Sequence, residues 1–338
     1  MQKYNKKCIF AVFIHFGNIS NNIDMAQDSI GTGRCKIAVL IPCYNEEYAI
    51  AQVVRDFRSV LPDATIYVYD NNSTDRTVAL AAEAGAVVRR ETMQGKGNVV
   101  RRMFREIEAD CYLMVDGDGT YDPADAPEMA KAVLEEQIDM VIGDRLSTTY
   151  FQENKRPFHN MGNRLVRHLI NRFWNTDIRD IMTGYRAFSR RFVKLFPIMT
   201  QNFEIETEMT IHALDKRFSI KAIPTKYADR QNSASKLNTY KDGIRILKTI
   251  FWLFEEYRPL LFFGIVAVLL LLVSIILFIP ILIEFFQTGL VPRFPTLFCA
   301  GFLAVTGVMS FFTGLTLDVI IRKDRKNYEL RVINFKES

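Results

Sequence analysis

Cysteine is scarce and unpatterned. The five residues, Cys8, Cys35, Cys43, Cys111 and Cys299, are odd in number and include no CxxC pair, which argues against a disulfide framework or a zinc site. Internal repeats and low-complexity tracts are also missing, so the chain reads as globular rather than disordered. No nucleic-acid motif occurs, and a net charge of +5 is modest. It suits an anionic membrane surface better than nucleic acid.

Charge is absent from two long stretches. Leu260 to Ile283 carries none for about 24 positions, enough to cross a bilayer core at 1.5 Å per residue. Thr296 to Leu317 repeats this for about 22 positions. Their length argues against two buried core helices. A transporter is excluded because neither stretch places an ionisable residue at mid-membrane. Arg322, Lys323, Arg325 and Lys326 follow the second stretch, and Lys241, Arg245, Lys248 and Arg258 precede the first. The loop between them has only Arg293 against Glu284. By the positive-inside rule, both ends of the hairpin face the cytoplasm, which makes this an integral inner (plasma) membrane protein with its head and both termini cytoplasmic.

The first 35 residues resemble a signal peptide only superficially. Lys3, Lys6 and Lys7 precede a short apolar run, but that run holds His15 and lacks a small-residue cleavage site. Residues 1–35 are read as a disordered extension.

From Lys36 onward, short apolar runs alternate with helical stretches. Strands are expected at 37–41, 65–69, 86–89, 111–115 and 139–143. Helices are expected at 46–60, 74–84, 97–108 and 123–136, and further ones near 160–174 and 206–216. That alternation implies an α/β fold with a mostly parallel sheet covered by helices on both faces. In such folds ligands sit beyond the carboxyl ends of the strands. Tyr44-Asn45, Asp70-Asn71, Asp116-Gly117-Asp118 and Asp144-Arg145 all fall at strand ends. Residues 240–257 mix apolar and basic positions as an interfacial helix would, with an ordinary surface helix as the alternative.

Asp116 and Asp118 carry the sharpest chemistry. Two carboxylates one residue apart after an apolar strand can share a hard divalent cation, which also prefers phosphate oxygens. Pro42-Cys43-Tyr44-Asn45-Glu46-Glu47 and Asp70-Asn71-Asn72-Ser73 could equally be turns and helix caps, Asn45 being a good N-cap. Gly95-Lys96-Gly97 is a glycine-flanked lysine able to approach phosphates, although its spacing is not that of a Walker A loop.

These four groups, in this order, resemble the family 2 glycosyltransferases with the GT-A fold. Within that family the chain looks like the polyprenyl-phosphate glycosyltransferases, the group of dolichol-phosphate mannose synthase and bacterial GtrB-type enzymes. The resemblance implies a GT-A (Rossmann-like) head over 36–236, an interfacial helix over 237–258, a two-helix transmembrane hairpin over 259–321 and a cytoplasmic tail over 322–338. It implies that Pro42, Tyr44, Asn45, Glu46, Asp70, Asn71, Lys96, Gly97, Asp116 and Gly117 bind the nucleotide sugar. Asp116 and Asp118 would hold Mg²⁺ or Mn²⁺.

Asp180-Ile181-Met182-Thr183-Gly184-Tyr185-Arg186 resembles the family's D-x-x-[ST]-G-[FY]-R segment, and Arg230 to Leu237 resembles its R-x-x-x-x-SK-L segment. A nucleotide diphosphate and a lipid phosphate must meet here, so Arg145, Arg186, Arg230, Ser235 and Lys236 are candidates for the acceptor phosphate. Asp180, Asp118, Arg230 and Lys236 are the expected catalytic groups, with Glu204 and Glu206 as further candidates to assist the acceptor.

A lipid monophosphate is largely dianionic at neutral pH, so it needs positioning rather than a strong base, and its attack would invert the anomeric carbon. The expected donor is UDP-glucose or a UDP-N-acetylhexosamine, with GDP-mannose as the alternative. The expected partners are that donor, a polyprenyl phosphate and the membrane, without nucleic acid; a homo-oligomer is left open. A processive synthase would carry Q-x-x-R-W, but Gln231 is followed by Asn232-Ser233-Ala234. An inactive nucleotide-sugar scaffold is disfavoured by the intact acidic and basic motifs.

Overall fold

The computed structural model describes residues 35–146, 157–200, 205–228, 251, 255 and 257–335, with side chains from residue 165 onward in the helix that begins at Pro157. The candidates Arg230, Ser235, Lys236 and Glu204 lie outside the described residues. So do residues 1–34 and most of the expected interfacial helix. The chain divides into two units at Lys236/Leu237.

Seven described strands form the sheet of the first unit: β1 (Ile37–Cys43), β2 (Thr65–Asp70), β3 (Val87–Arg90), β4 (Cys111–Met114), β5 (Met140–Asp144), β6 (Arg186–Ser189) and β7 (Ile220–Pro224). Their order is β3-β2-β1-β4-β6-β5-β7. Only β6 runs antiparallel to its neighbours. In register, Cys43 stands opposite Asp70, and Leu40 stands opposite Met114. The carboxyl ends of β1, β2, β4 and β5 therefore share one edge with the start of β6.

Alternation along the strands splits the core in two. Val39, Ile41 and Cys43 on β1 join Leu113 and Val141 in one cluster with α1 (Ile50–Val60) and α4 (Ala126–Leu134). Ile50, Val53, Val54 and Phe57 are buried at the spacing of one helix face. On the other face, Phe104 of α3 (Lys96–Glu106) meets Tyr112 and Phe188 edge-on. Each such side chain stabilises the fold by roughly 1.5–3 kcal/mol of burial. The remaining described helices of this unit are α2 (Thr77–Glu83), α5 (Pro157–Trp174), α6 (Arg190–Leu195) and α7 (Ile205–Asp215).

Several boundaries differ from expectation. α1 begins at Ile50 rather than residue 46, because Asn45 adopts a left-handed φ of 54° and does not cap the helix. The expected helix at 123–136 begins as a 3-10 turn, Pro123–Asp125, capped by Asp122. The strands β6 and β7 were not foreseen. Cys35 is disulfide-bonded; one bridge is not the framework of several that cysteine spacing would signal. Among the described residues, Cys43 and Cys111 are buried free thiols and Cys299 is an exposed one.

At the end of α3, Glu106 accepts hydrogen bonds from Arg102 Nε at 2.6 Å, Arg89 Nη1 at 2.7 Å and Tyr69 OH at 2.9 Å. Burial acts against ionisation, but these donors outweigh it and hold the carboxyl at about 2 instead of 4.5. A depressed carboxylate stabilises the fold fully above its unfolded value and less as pH falls towards its folded value. The stability gap between wild type and Glu106→Gln is therefore expected to shrink between about pH 5 and pH 3. A gap in melting temperature that stays constant over that interval would contradict this.

The second unit holds two long helices, α8 (Pro259–Thr288) and α9 (Phe294–Asn334), both long and apolar enough to cross a membrane. α9 extends past the expected span, through Arg322 to Lys326, as one continuous helix. Most apolar side chains on both helices are exposed, the reverse of two core helices. The buried positions repeat in sevens: Ala267, Ser274 and Ile281 on α8, and Ala300, Gly307 and Gly314 on α9. Small residues at that spacing let two membrane helices approach closely. Ser274 Oγ donates to Ala300 O at 2.8 Å, and Ser310 Oγ donates to Phe263 O at 3.1 Å.

A Cβ at Gly314 would stand 2.9 Å from Phe263 Cβ and 3.2 Å from Pro259 O, whereas one at Gly301 would meet nothing within 4 Å. Gly314→Leu should cost about 1–3 kcal/mol through overpacking, and Gly301→Leu almost nothing. Disulfide trapping between Ser274→Cys and Ala300→Cys reads the difference: it should fall with Gly314→Leu only. Equal trapping in both backgrounds would refute the seam.

Candidate active site

The shared strand edge gathers the acidic motifs. Cys43 reports on them from inside: burial first, then the carboxylates of Glu46, Asp70, Asp116 and Asp118, push its thiol well above the usual range. The thiol is therefore inert, and it senses the negative charge that the four motifs bring to this edge.

The turn after β1 interlocks with the turn after β2. Asn45 Oδ1 accepts from Thr74 N at 2.8 Å, Asn45 N donates to Ser73 Oγ at 2.9 Å, and Glu46 N donates to Thr77 Oγ1 at 2.8 Å. Asp70 is buried and accepts from Ser73 N at 3.1 Å. Tyr44 is exposed, and Pro42 pairs with Tyr69 inside the sheet. Asn71 is a bracket. Its amide donates to Glu91 O and Met93 O, at 3.0 and 2.9 Å, and accepts from Gly95 N at 2.7 Å. It is buried and holds the loop that leads to Lys96.

Gly95 has a φ of 128°, beyond easy reach of an L side chain, and opens α3 with Lys96 and the buried Gly97. Lys96 Nζ lies 2.5 Å from Asp116 Oδ1 and 2.5 Å from Glu206 Oε1. Burial would lower the ammonium's pKa, but Asp116 and Glu206 outweigh that and hold it above its ordinary value.

After β4, Gly117 is pressed against Cys43: an added Cβ would stand 2.6 Å from its Sγ. Asp118 Oδ1 accepts from Thr120 Oγ1 at 2.7 Å. Gly184 lies under the other flank of Asp116, where a Cβ would stand 2.7 Å from Cγ. The T-G-Y motif therefore supplies a gap for the carboxylate, a role the sequence signals only as a glycine in a matching segment. Among the described residues, no three His, Cys, Asp or Glu side chains cluster to hold a metal by themselves.

The basic candidates separate. Arg145 binds Asp180 through Nε at 2.7 Å and Nη2 at 3.0 Å. Its guanidinium lies 5.9 Å from the Tyr121 ring and 5.3 Å from the Tyr227 ring. Neither tyrosine was anticipated. Asp180 is only 3% exposed, so it faces Arg145 rather than an open site. Arg186, expected at the acceptor phosphate, lies inside the head. It is fully buried and donates to Thr183 O at 3.0 Å, Ile181 O at 2.6 Å and Thr210 Oγ1 at 2.9 Å. Burial lowers it to about 10, against the pull of Glu206 and Asp180. It braces the turn beneath Asp116 and presents no surface to solvent. Beyond β7, Ala228 N donates to Thr120 O at 2.9 Å, so the chain returns to within two residues of Asp118 before it continues to Arg230.

The family model described as "Glycosyl transferase family 2" matches residues 38–196. Glycosyltransferase AglJ of Haloferax volcanii is 36% identical over 230 residues, 68% of this chain and 75% of the relative. The chain belongs to glycosyl transferase family 2. The undecaprenyl-phosphate mannosyltransferase of Micrococcus luteus is 24% identical, over 64% of this chain and 93% of its own length. The structure of glucosyl-3-phosphoglycerate synthase from Mycobacterium tuberculosis, in complex with Mn²⁺, UDP-glucose and phosphoglyceric acid, superposes with a TM-score of 0.51. It is 22% identical and covers 64% of this chain and 79% of its own; that likeness concerns the fold. The protein is thus a glycosyltransferase with a GT-A-like head, and polyprenyl-phosphate sugar transferases are among its relatives.

Proposed function

We propose that this glycosyltransferase moves a hexose from a nucleotide diphosphate sugar to a polyprenyl phosphate, with inversion. The observation that carries the reading is a family 2 head whose acidic motifs, Glu46, Asp70, Asp116 and Asp118, close or follow strands that end on one edge of the sheet, joined in one chain to two helices able to cross a membrane. Four carboxylates would repel a diphosphate unless a cation joined them. Asp116 already binds an ammonium at 2.5 Å, and Asp116 and Asp118 are hard oxygen donors, so the residues fit Mg²⁺ or Mn²⁺. The donor diphosphate and water would complete its ligands. When bound, the ion neutralises charge on the departing diphosphate.

Tyr44, Glu46 and Asp70 line the nucleotide side, with Asn45 and Asn71 holding the loops that present it. Arg145, just past β5 and held by Asp180, is the candidate for the acceptor phosphate among the described cations, with Asp180 its positioning residue. Arg230, Ser235 and Lys236 follow Ala228 closely enough to join them. The acceptor oxygen forms a bond to the anomeric carbon as the bond to the diphosphate breaks, and the nucleoside diphosphate leaves. The dianionic acceptor has no proton to lose.

Lys/Arg flanking both helices supports a head and termini on the cytoplasmic side, with residues 237–258 interfacial and 322–338 a tail. A reporter fused after Ser338 should be active only in the cytoplasm.

The donor preference remains UDP-glucose or a UDP-N-acetylhexosamine, and the Micrococcus relative keeps GDP-mannose as the second choice. The test is a donor panel with full-length protein, undecaprenyl phosphate and Mn²⁺, read by mass spectrometry of the lipid. One donor should add its sugar's mass. No lipid-linked product from any donor would leave the inactive scaffold as the better reading.

A further inference from the structure

Lys96, Asp116 and Glu206 meet although Lys96 and Glu206 stand 110 residues apart in sequence. Lys96 sits at the first turn of α3, Asp116 just past β4, and Glu206 near the start of α7. The side chains of Lys96 and Glu206 are only 9% and 6% exposed, while that of Asp116 is 31% exposed. The ammonium thus binds the inner side of a carboxylate whose other side is open. Gly184 closes off a retreat for Asp116, because its backbone packs against that carboxylate.

We propose that Lys96 and the divalent cation compete for Asp116, and that Glu206 keeps the displaced ammonium paired. This rests on the metal reading above. An ammonium and a divalent cation held by one carboxylate repel each other strongly, so metal binding by the protein alone is weak. The donor diphosphate, which supplies further oxygen ligands to the ion and an anionic partner for the ammonium, tips the exchange. The lysine thereby makes metal capture depend on nucleotide. Glu206, which the sequence presented as an aid to the acceptor, becomes a positioning residue for Lys96.

The experiment titrates Mn²⁺ into full-length protein in nanodiscs and reads free Mn²⁺ by electron paramagnetic resonance, with and without UDP. Without UDP, Lys96→Met should bind Mn²⁺ about tenfold more tightly than wild type or better, since a competing charge is gone. Glu206→Gln should bind it several-fold more weakly, because the carboxylate that steadies the ammonium away from Asp116 is gone. Lys131→Met, at an exposed pair with Glu135, should not differ from wild type. These opposite signs are not what a purely structural role would give. Unchanged or weaker binding by Lys96→Met overturns the competition, even where UDP still promotes Mn²⁺ binding to wild type. No Mn²⁺ binding by any protein, even with UDP, overturns the metal assignment as well. Should Lys96→Met fail to fold, acylation of Lys96 in wild type is read by peptide mass spectrometry. Mn²⁺ with UDP should change its rate several-fold relative to UDP alone, and an unchanged rate refutes the exchange.

Discussion

Asp118→Asn is expected to lower sugar transfer about a thousandfold, an effect of several kcal/mol on the barrier at 1.4 kcal/mol per tenfold. The substitution is chosen because Asn retains an oxygen for the bond from Thr120 Oγ1, so the turn after β4 survives. What it removes is one of the two hard, charged donors available to the ion. The site has little to replace it with, since no three-residue metal cluster exists among the described residues. The departing diphosphate then develops charge beside Glu46 and Asp70 with less compensation. Thermal unfolding should stay close to wild type, and excess Mn²⁺ should restore only part of the rate. Near-normal turnover would remove Asp118 from the metal site.

Arg186→Met should act on folding rather than on the acceptor. The side chain is among the largest fully buried ones and supports two carbonyls and a hydroxyl. Methionine fills much of its volume but leaves Ile181 O and Thr183 O without this donor, while Thr210 Oγ1 keeps only its bond to Glu206 O. At about 1–3 kcal/mol for each orphaned group, partly offset by the apolar side chain, the head should lose roughly 3–5 kcal/mol. Denaturant midpoints measure this directly. In the fraction that remains folded, KM for the lipid should barely move. A stable variant with a many-fold raised KM would return Arg186 to the acceptor site.

The two arginines show how far sequence could go. Both follow an acidic or glycine motif, and both resemble phosphate ligands. Only the fold separates Arg145, stacked between tyrosines beside the strand edge, from Arg186, sealed under it. The same charge hid β6: Arg186–Ser189 shows no alternation, being buried at three positions in a row, and the arginine at its start breaks what would otherwise read as an apolar run. The edge strand β7 is half-exposed and carries Lys221, so periodicity signalled it weakly. By contrast β1, β2, β4 and β5 end in polar turns after unbroken apolar runs, which is why the acidic motifs could be placed on one edge without coordinates. The Lys96–Glu206 contact lay beyond any local signal, since nothing in a pattern of spacing joins residues so far apart.

The most direct test of the account incubates the full-length protein with the radiolabelled donor that the panel selects, undecaprenyl phosphate and Mn²⁺. It measures label entering the organic phase, with and without EDTA. The account predicts label in the lipid fraction only when the polyprenyl phosphate is present, loss of that label with EDTA, and recovery on adding Mn²⁺. Label that stays aqueous, or lipid transfer that proceeds equally in EDTA, would contradict it.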